Sequence, residues 1–352
     1  MIIPHLIMAS LVAFLLSMVF TPLVIKFCQK RNILDQPDGN RKIHNIPKSR
    51  LGGVAVVGSF FISLLIFRSF LPFAVSFWYL IGLALIFLTG FLDDIFSLPP
   101  WVKILGLGIG ALIFIFDGVV IEFITLPWNV LCYIGIWGIP LTFFWILGIT
   151  NSLNLIDGMD GLSSGIAAIA ACTLGIIALQ HGRWESALIS FLLMGSAIGF
   201  LPYNFPPAKI FIGDGGALFF GGVLATVSVE GALKSATTFT LAVPILILGI
   251  PILDTFFAIV RRKRNKLPIT RPDRGHLHHR LLEKGLTQRE VILVVYVIST
   301  SLSILAILID RFLANSTYSL LLTLALFYIS WIWGKHLGVT ELSCGTRKIE
   351  KV

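Results

Sequence analysis

Apolar runs of roughly membrane-span length, following one another with short polar interruptions, leave this chain few ways to fold. A helix crossing the hydrocarbon needs ~20 apolar residues, because no water is there to take unpaired backbone N–H and C=O groups. A ~19-residue hydropathy window places such runs near residues 3–25, 52–67, 75–92, 101–116, 128–149, 161–180, 185–203, 216–233, 238–260, 290–309 and 317–334. They consume most of the 352 residues. The expectation is therefore an all-α, polytopic integral membrane protein with about eleven transmembrane helices, a single domain over residues 1–352. Composition agrees, since 13% of residues are charged, against about 25% in soluble domains. The first run is too long for a signal-peptide core and has no basic residue before it, so it is expected to persist as the first helix.

Charge then orients the chain. Of 27 Lys and Arg, 23 lie on the side that holds the loop after the first span and only 4 on the other. By the positive-inside rule the N-terminus is expected outside and the C-terminus in the cytoplasm. The net charge of +9 is thus mainly a topology signal, with attraction to membrane lipid headgroups rather than to nucleic acid as its second reading. Cys28, Cys132, Cys172 and Cys344 show no paired or metal-ligand spacing, which argues against disulfides and zinc.

The acidic motifs fall on the same face as the basic loops, although counting Lys and Arg does not force this. Asp93 and Asp94, in "GFLDDIFSLPP", end an uncharged run of fifteen or more residues. Two adjacent carboxylates at a membrane edge are costly and call for a cation, a Lys or Arg partner, or headgroup water. In "NSLNLIDGMDGL", Asn151, Asn154 and Asp157 are spaced i, i+3, i+6 and form one polar stripe on a helix. Asp157 or Asp160 can alternatively cap the next helix, which accounts for one Asp but not for two plus two Asn. "YNFPPAKIFIGDGG" sets Asp214 among glycines at a helix entrance, where backbone amides favour phosphate and the carboxylate favours a cation. Lys209 is a candidate charge partner there and Phe211 a candidate stacking surface.

In "RPDRGHLHHRLLEKG", His276, His278 and His279 stand beside Arg271, Arg274 and Arg280. Further zinc ligands are missing, so hydrogen bonding to phosphate or sugar is the sharper reading and a solvated basic loop the plainer one. His44, in "RKIHNIP", belongs to the same face and joins the substrate-binding candidates. Asp254 is an intramembrane carboxylate and a site candidate by default, or else a partner of Arg261 or Arg262. The sum of these clusters points to magnesium-assisted chemistry on phosphates, with one substrate in the bilayer and one arriving from the cytoplasm.

These segments, in this order, resemble the polyprenyl-phosphate N-acetylhexosamine-1-phosphate transferases, most closely the bacterial WecA/TagO-like branch. The resemblance implies transfer of a sugar 1-phosphate from a UDP-sugar to undecaprenyl phosphate with release of UMP, using Mg2+ or Mn2+, in the cytoplasmic membrane and at the start of a cell-surface glycan. It further implies Asp93 and Asp94 as catalytic residues and Asp214 as the metal ligand. By the same resemblance Asn154, Asp157, Asn204 and Phe211 serve the nucleotide, the three histidines serve the sugar or diphosphate, and the chain forms a homodimer. Ser97 stands where the family's "DDxxD" pattern has its third acid. The "HxHH" form, in place of three consecutive histidines, favours UDP-N-acetylglucosamine over a muramyl-pentapeptide donor, with another UDP-N-acetylhexosamine as the alternative.

Other classes fit less well. A secondary transporter should carry its ionisable residues near the midplane, an intramembrane aspartyl protease needs a "YD" motif that is absent, and a CDP-alcohol phosphatidyltransferase motif continues differently after "DG".

Overall fold

The computed structural model describes residues 2–33, 48–73, 75–126, 130–233, 242–268 and 275–313, together with residues 325, 328 and 332. Its main elements are α1 (Ile2–Arg31), α2 (Gly52–Phe67), α3 (Phe77–Phe96), α4 (Pro100–Phe116), β1 (Phe123–Leu126), β2 (Val130–Tyr133), α5 (Gly138–Ile156), α6 (Leu162–Gln180), α7 (Trp184–Asn204), α8 (Gly213–Val227), α9 (Ala242–Ile247), α10 (Gly249–Arg264), α11 (Leu277–Glu283) and α12 (Gln288–Leu308). Among the described residues, six helical segments are long and apolar enough to cross a membrane, while α2 and α4 are shorter apolar helices. The protein is a multi-pass membrane protein.

The membrane-facing character is plain on α1. Ile3, Ile7, Leu11, Leu15, Val19 and Leu23 recur every fourth residue and stay about half exposed, while Leu6, Ala9, Ala13, Ser17 and Thr21 are buried on the opposite face. So long an apolar stripe is untenable in water and natural against acyl chains. The buried face packs on α2 and α7. At the centre of the bundle, α8 touches α2, α3, α5, α6 and α7, and every residue from Gly215 to Val227 is buried. Its interior polar groups are paired: the Tyr79 hydroxyl meets Thr226 Oγ1 at 2.7 Å, and Trp145 Nε1 donates to Ser228 Oγ at 2.9 Å.

Two differences from the sequence reading have local causes. The run expected to span 128–149 divides, with β1 and β2 pairing antiparallel, Phe123 opposite Tyr133, and a helix only from Gly138. The β-branched and aromatic residues of "FITL" and "VLCY" suit a hairpin as well as a helix. The chain is therefore predominantly rather than wholly helical. The run expected over 238–260 is broken between α9 and α10, where Pro251 in the first turn of α10 has no N–H to give. The eleventh run, 317–334, lies almost entirely outside the described residues.

Candidate active site

Helix termini build the site. Ser97 ends α3 in the left-handed region (φ 50°), and Pro99 and Pro100 then start α4 with a preset φ. The turn brings Lys103, one turn into α4, back over the end of α3. Its ammonium lies 3.0 Å from Asp93 Oδ2 and 3.0 Å from Asn154 Oδ1, and it is also bonded to Asp214 Oδ2. Oxygens from α3, α5 and α8 thus converge on one nitrogen from α4. Asp93 is further anchored by Leu98 N on its Oδ1 at 2.7 Å.

Asp94 points elsewhere. Its two oxygens accept from the amides of Asp214 (2.8 Å) and Gly215 (2.9 Å), so a carboxylate of α3 caps the N-terminus of α8. Gly213, the first residue of α8, holds φ at +74°, a value that suits glycine and lets the chain turn into the helix under Asp94.

The loop 157–161 flanks this cluster. Asp157 caps α5, takes a hydrogen bond from Ser163 Oγ, and is driven by burial well above the usual carboxylate range, with Asp214, Asp94 and Asp160 adding to the rise. Asp160 Oδ2 accepts from Ala208 N at 2.9 Å and lies 3.7 Å from Lys48 Nζ. That ammonium stands 5.1 Å above the Phe211 ring, which is partly exposed. Lys48, Asp160 and Phe211 make a second cluster, tied to the first because Phe211 N bonds Ser49 O and Gly53 N bonds Ile212 O. Lys209 is exposed at this rim. Asn204 is 2% exposed and fully engaged: its Oδ1 accepts from Gly161 N and Ser164 Oγ, and its Nδ2 donates to Ile210 O. That makes it a bracket between the 157–161 loop and the segment before α8.

The histidine segment closes the third side. His278 is 2% exposed, and burial pushes it down to about 3, so the ring is neutral. It rests on Gly158, where a Cβ would lie 2.5 Å from Nε2; only a glycine lets the segment approach this closely. His276 stacks on His278 with planes 8° apart, and His279 lies 4.3 Å from His278, centroid to centroid. Asp254 pairs with His276 at 2.7 Å, not with the neighbouring arginines; Arg261 instead donates to Gly275 O at 3.0 Å. His44 and Arg274 lie outside the described residues.

The structure thus joins Asp93, Asn154 and Asp214 directly, lines Asp157, Asp160, Phe211 and the histidines around them, and sets Asp94 and Asn204 to hold backbone. Lys103 and Lys48 were not singled out from sequence. Lys103 is a lone cation within an apolar run, a signal in its own right; Lys48 is one basic residue among many in its loop. Among the described residues no group of three or more His, Cys, Asp or Glu converges as a metal cage. Two carboxylates and an amide oxygen already gathered on a cation nonetheless suit a hard ion such as magnesium, which takes its other ligands from phosphate and water.

The Lys103 cluster lies within a recognisable family segment. Residues 76–232, from just before α3 to just beyond α8, match the model of glycosyl transferase family 4. The chain is 40% identical over 310 residues to a probable undecaprenyl-phosphate N-acetylglucosaminyl 1-phosphate transferase of Bacillus subtilis, covering 87% of this chain and 85% of the relative. It is 34% identical over 274 residues to the undecaprenyl-phosphate alpha-N-acetylglucosaminyl 1-phosphate transferase of Thermotoga maritima, covering 75% and 78% respectively. Against the phospho-N-acetylmuramoyl-pentapeptide-transferase of Listeria monocytogenes it is 35% identical over 239 residues, 62% of this chain and 72% of the relative. With the Lys103 cluster assembled inside the matched segment, the chain belongs to glycosyl transferase family 4, among the polyprenyl-phosphate N-acetylhexosamine-1-phosphate transferases.

Proposed function

We propose that this enzyme transfers N-acetylglucosamine 1-phosphate from UDP-N-acetylglucosamine to undecaprenyl phosphate, releasing UMP and initiating a cell-surface glycan. The observation that carries the reading is the convergence of Asp93, Asn154 and Asp214 on Lys103 at one end of an apolar bundle. A lipid phosphate reaches such a site from the bilayer and a nucleotide reaches it from water. The distribution of basic residues supports a cytoplasmic position for this end, with the N-terminus outside, in the bacterial cytoplasmic membrane. A homodimer is part of the proposal by family resemblance alone.

In the reaction an oxygen of the lipid phosphate attacks the sugar-linked β-phosphorus. The bond from that phosphorus to the oxygen bridging the α-phosphate breaks, and UMP departs with the α-phosphate and the bridging oxygen. Asp93, Asn154 and Asp214 would hold Mg2+ or Mn2+, which supplies neutralisation of the diphosphate charge. Lys103, bonded to the same three side chains, places a fixed positive charge beside them, so the anionic reactants can approach one another. Phe211 offers a stacking face to the base, with Lys48 and Asp160 as its polar border. Direct attack is favoured over an aspartyl-phosphate intermediate, because an ionised phosphate needs little activation once its charge is shielded. Asp94 is occupied at α8 and contributes by fixing Asp214.

A donor panel tests the reading: purified protein, undecaprenyl phosphate and Mg2+ are offered UDP-N-acetylglucosamine, UDP-N-acetylgalactosamine and UDP-N-acetylmuramoyl-pentapeptide, and UMP is measured. The expected result is release with the first, abolished by EDTA and by Asp214→Ala. Release with a different donor alone would move the substrate, and appreciable activity in Asp214→Ala would remove the metal assignment.

A further inference from the structure

Asp254 lies in α10, which gives no ligand to the Lys103 cluster, and it is 4% exposed. Sealing a carboxylate away from water is costly unless each oxygen is satisfied. Both are. Oδ2 lies 2.7 Å from His276 Nδ1, and Oδ1 accepts from Leu277 N at 2.8 Å. One side chain therefore grips a ring and the next backbone amide at the start of α11.

The grip has a chemical consequence. An ionised carboxylate only accepts hydrogen bonds, so the hydrogen facing it belongs to His276 Nδ1, and Nε2 is the nitrogen left for a ligand. The orientation is handed on, because the His276 ring stacks on His278 at 5.8 Å between centroids and His278 rests on Gly158, the neighbour of Asp157. Among the described residues neither ring nitrogen of the buried His278 has a hydrogen-bond partner. Its place accordingly depends on packing between His276 and the loop, not on polar ties of its own.

We propose that Asp254 is a positioning residue of the transfer reaction: it fixes the ring plane and hydrogen placement of His276 and so seats the histidine segment against the 157–161 loop. The inference rests on reading that segment as the part of the site facing the sugar or diphosphate. A plain brace between α10 and α11 is the alternative, and Asp254→Asn separates the two. An amide keeps the size and, with its oxygen on Leu277 N, presents N–H to His276 Nδ1. The ring then stays in place only by moving its hydrogen to Nε2, a change that a brace tolerates and a positioning residue does not.

The test uses the full chain in lipid nanodiscs with 15N-labelled histidine, the His276 signals being assigned by their loss in His276→Gln. Hydrogen on Nδ1 in the wild type and its shift to Nε2 in Asp254→Asn are expected. In the transfer assay, kcat/KM of Asp254→Asn should fall on the order of 10- to 100-fold, as for carboxylates that orient ligating histidines. In the His276→Gln background the same substitution should add less than about twofold, since two residues acting through one contact are not additive. A wild-type His276 with bare Nδ1, an Asp254→Asn enzyme with unaltered kcat/KM, or losses that multiply would each overturn the inference. The wild-type spectrum, assigned with His276→Gln, decides the first point even if Asp254→Asn does not fold. Absence of transfer by the wild-type protein sinks the functional reading and this role together, whereas transfer with an indifferent Asp254→Asn sinks this role alone.

Discussion

Lys103→Met removes the one charge on which three site oxygens converge, and its effect can be sized from the geometry. The side chain is nearly isosteric, so what is lost is two contacts of 3.0 Å, to Asp93 and Asn154, and the ion pair to Asp214. The Lys103 side chain is 16% exposed, while that of Asp214 is 35% exposed, so water screens part of the interaction. A unit charge ~4 Å away at an effective dielectric of ~20 contributes about 4 kcal/mol, which screening brings toward the lower end. Removing a preorganised group aimed at developing charge typically costs about 2.7–4 kcal/mol, or 10²- to 10³-fold in kcat. The assay is UMP release at saturating undecaprenyl phosphate and UDP-N-acetylglucosamine, with the thermal midpoint of the same preparation as the control for folding. A folded Lys103→Met enzyme with kcat within about threefold of wild type would refute the idea that this ammonium faces the transferred group.

Gly158→Ala would put a methyl group 2.5 Å from His278 Nε2 and 2.9 Å from its Cε1, so the histidine segment must shift. Such overpacking costs about 1–3 kcal/mol, and both the midpoint and kcat/KM for the UDP-sugar should fall; an unchanged kcat/KM would detach the segment from donor recognition. Asp157, whose carboxyl is raised by burial, binds its proton more tightly folded than unfolded. Stability should therefore fall as pH rises from the ordinary carboxylate value toward the raised one, and Asp157→Asn should flatten that slope in melts taken across the window. A steeper slope in the variant would contradict the sign. At the opposite end of α6, His181 Nε2 lies 3.0 Å from both oxygens of Asp310, which is 6% exposed. His181→Ala leaves that carboxylate without this partner and should cost about 1–3 kcal/mol in stability, with UMP release at permissive temperature unaffected.

Sequence reading went far where the physics is local. Hydropathy alone located α1 to α4, α6, α7 and α12, because a span must be apolar along its whole length. It missed the hairpin at 123–133 and began α5 too early, since apolar β-branched residues satisfy a strand and a helix equally well. The acidic clusters were visible as charges where charge is expensive. What stayed hidden was pairing at a distance. Asp93 and Asp94 are neighbours in sequence yet face Lys103 and the α8 amides respectively, a division only helix packing sets. Lys103 itself was counted as a topology signal. His181 drew no attention in the sequence because its partner Asp310 lies 129 positions away. Asn204 entered through the family resemblance alone, and its burial and its bonds to Gly161 N and Ile210 O became visible only in the fold.

The most direct test of the central claim follows the β-phosphorus. Wild-type protein is given undecaprenyl phosphate, Mg2+ and UDP-N-acetylglucosamine carrying 32P in the β-phosphate only. Transfer of sugar 1-phosphate moves the label into the lipid phase while unlabelled UMP appears in equal amount. Label left in the aqueous phase as UDP, with unlabelled sugar on the lipid, would mean the sugar–phosphate bond is the one broken and would contradict the claim.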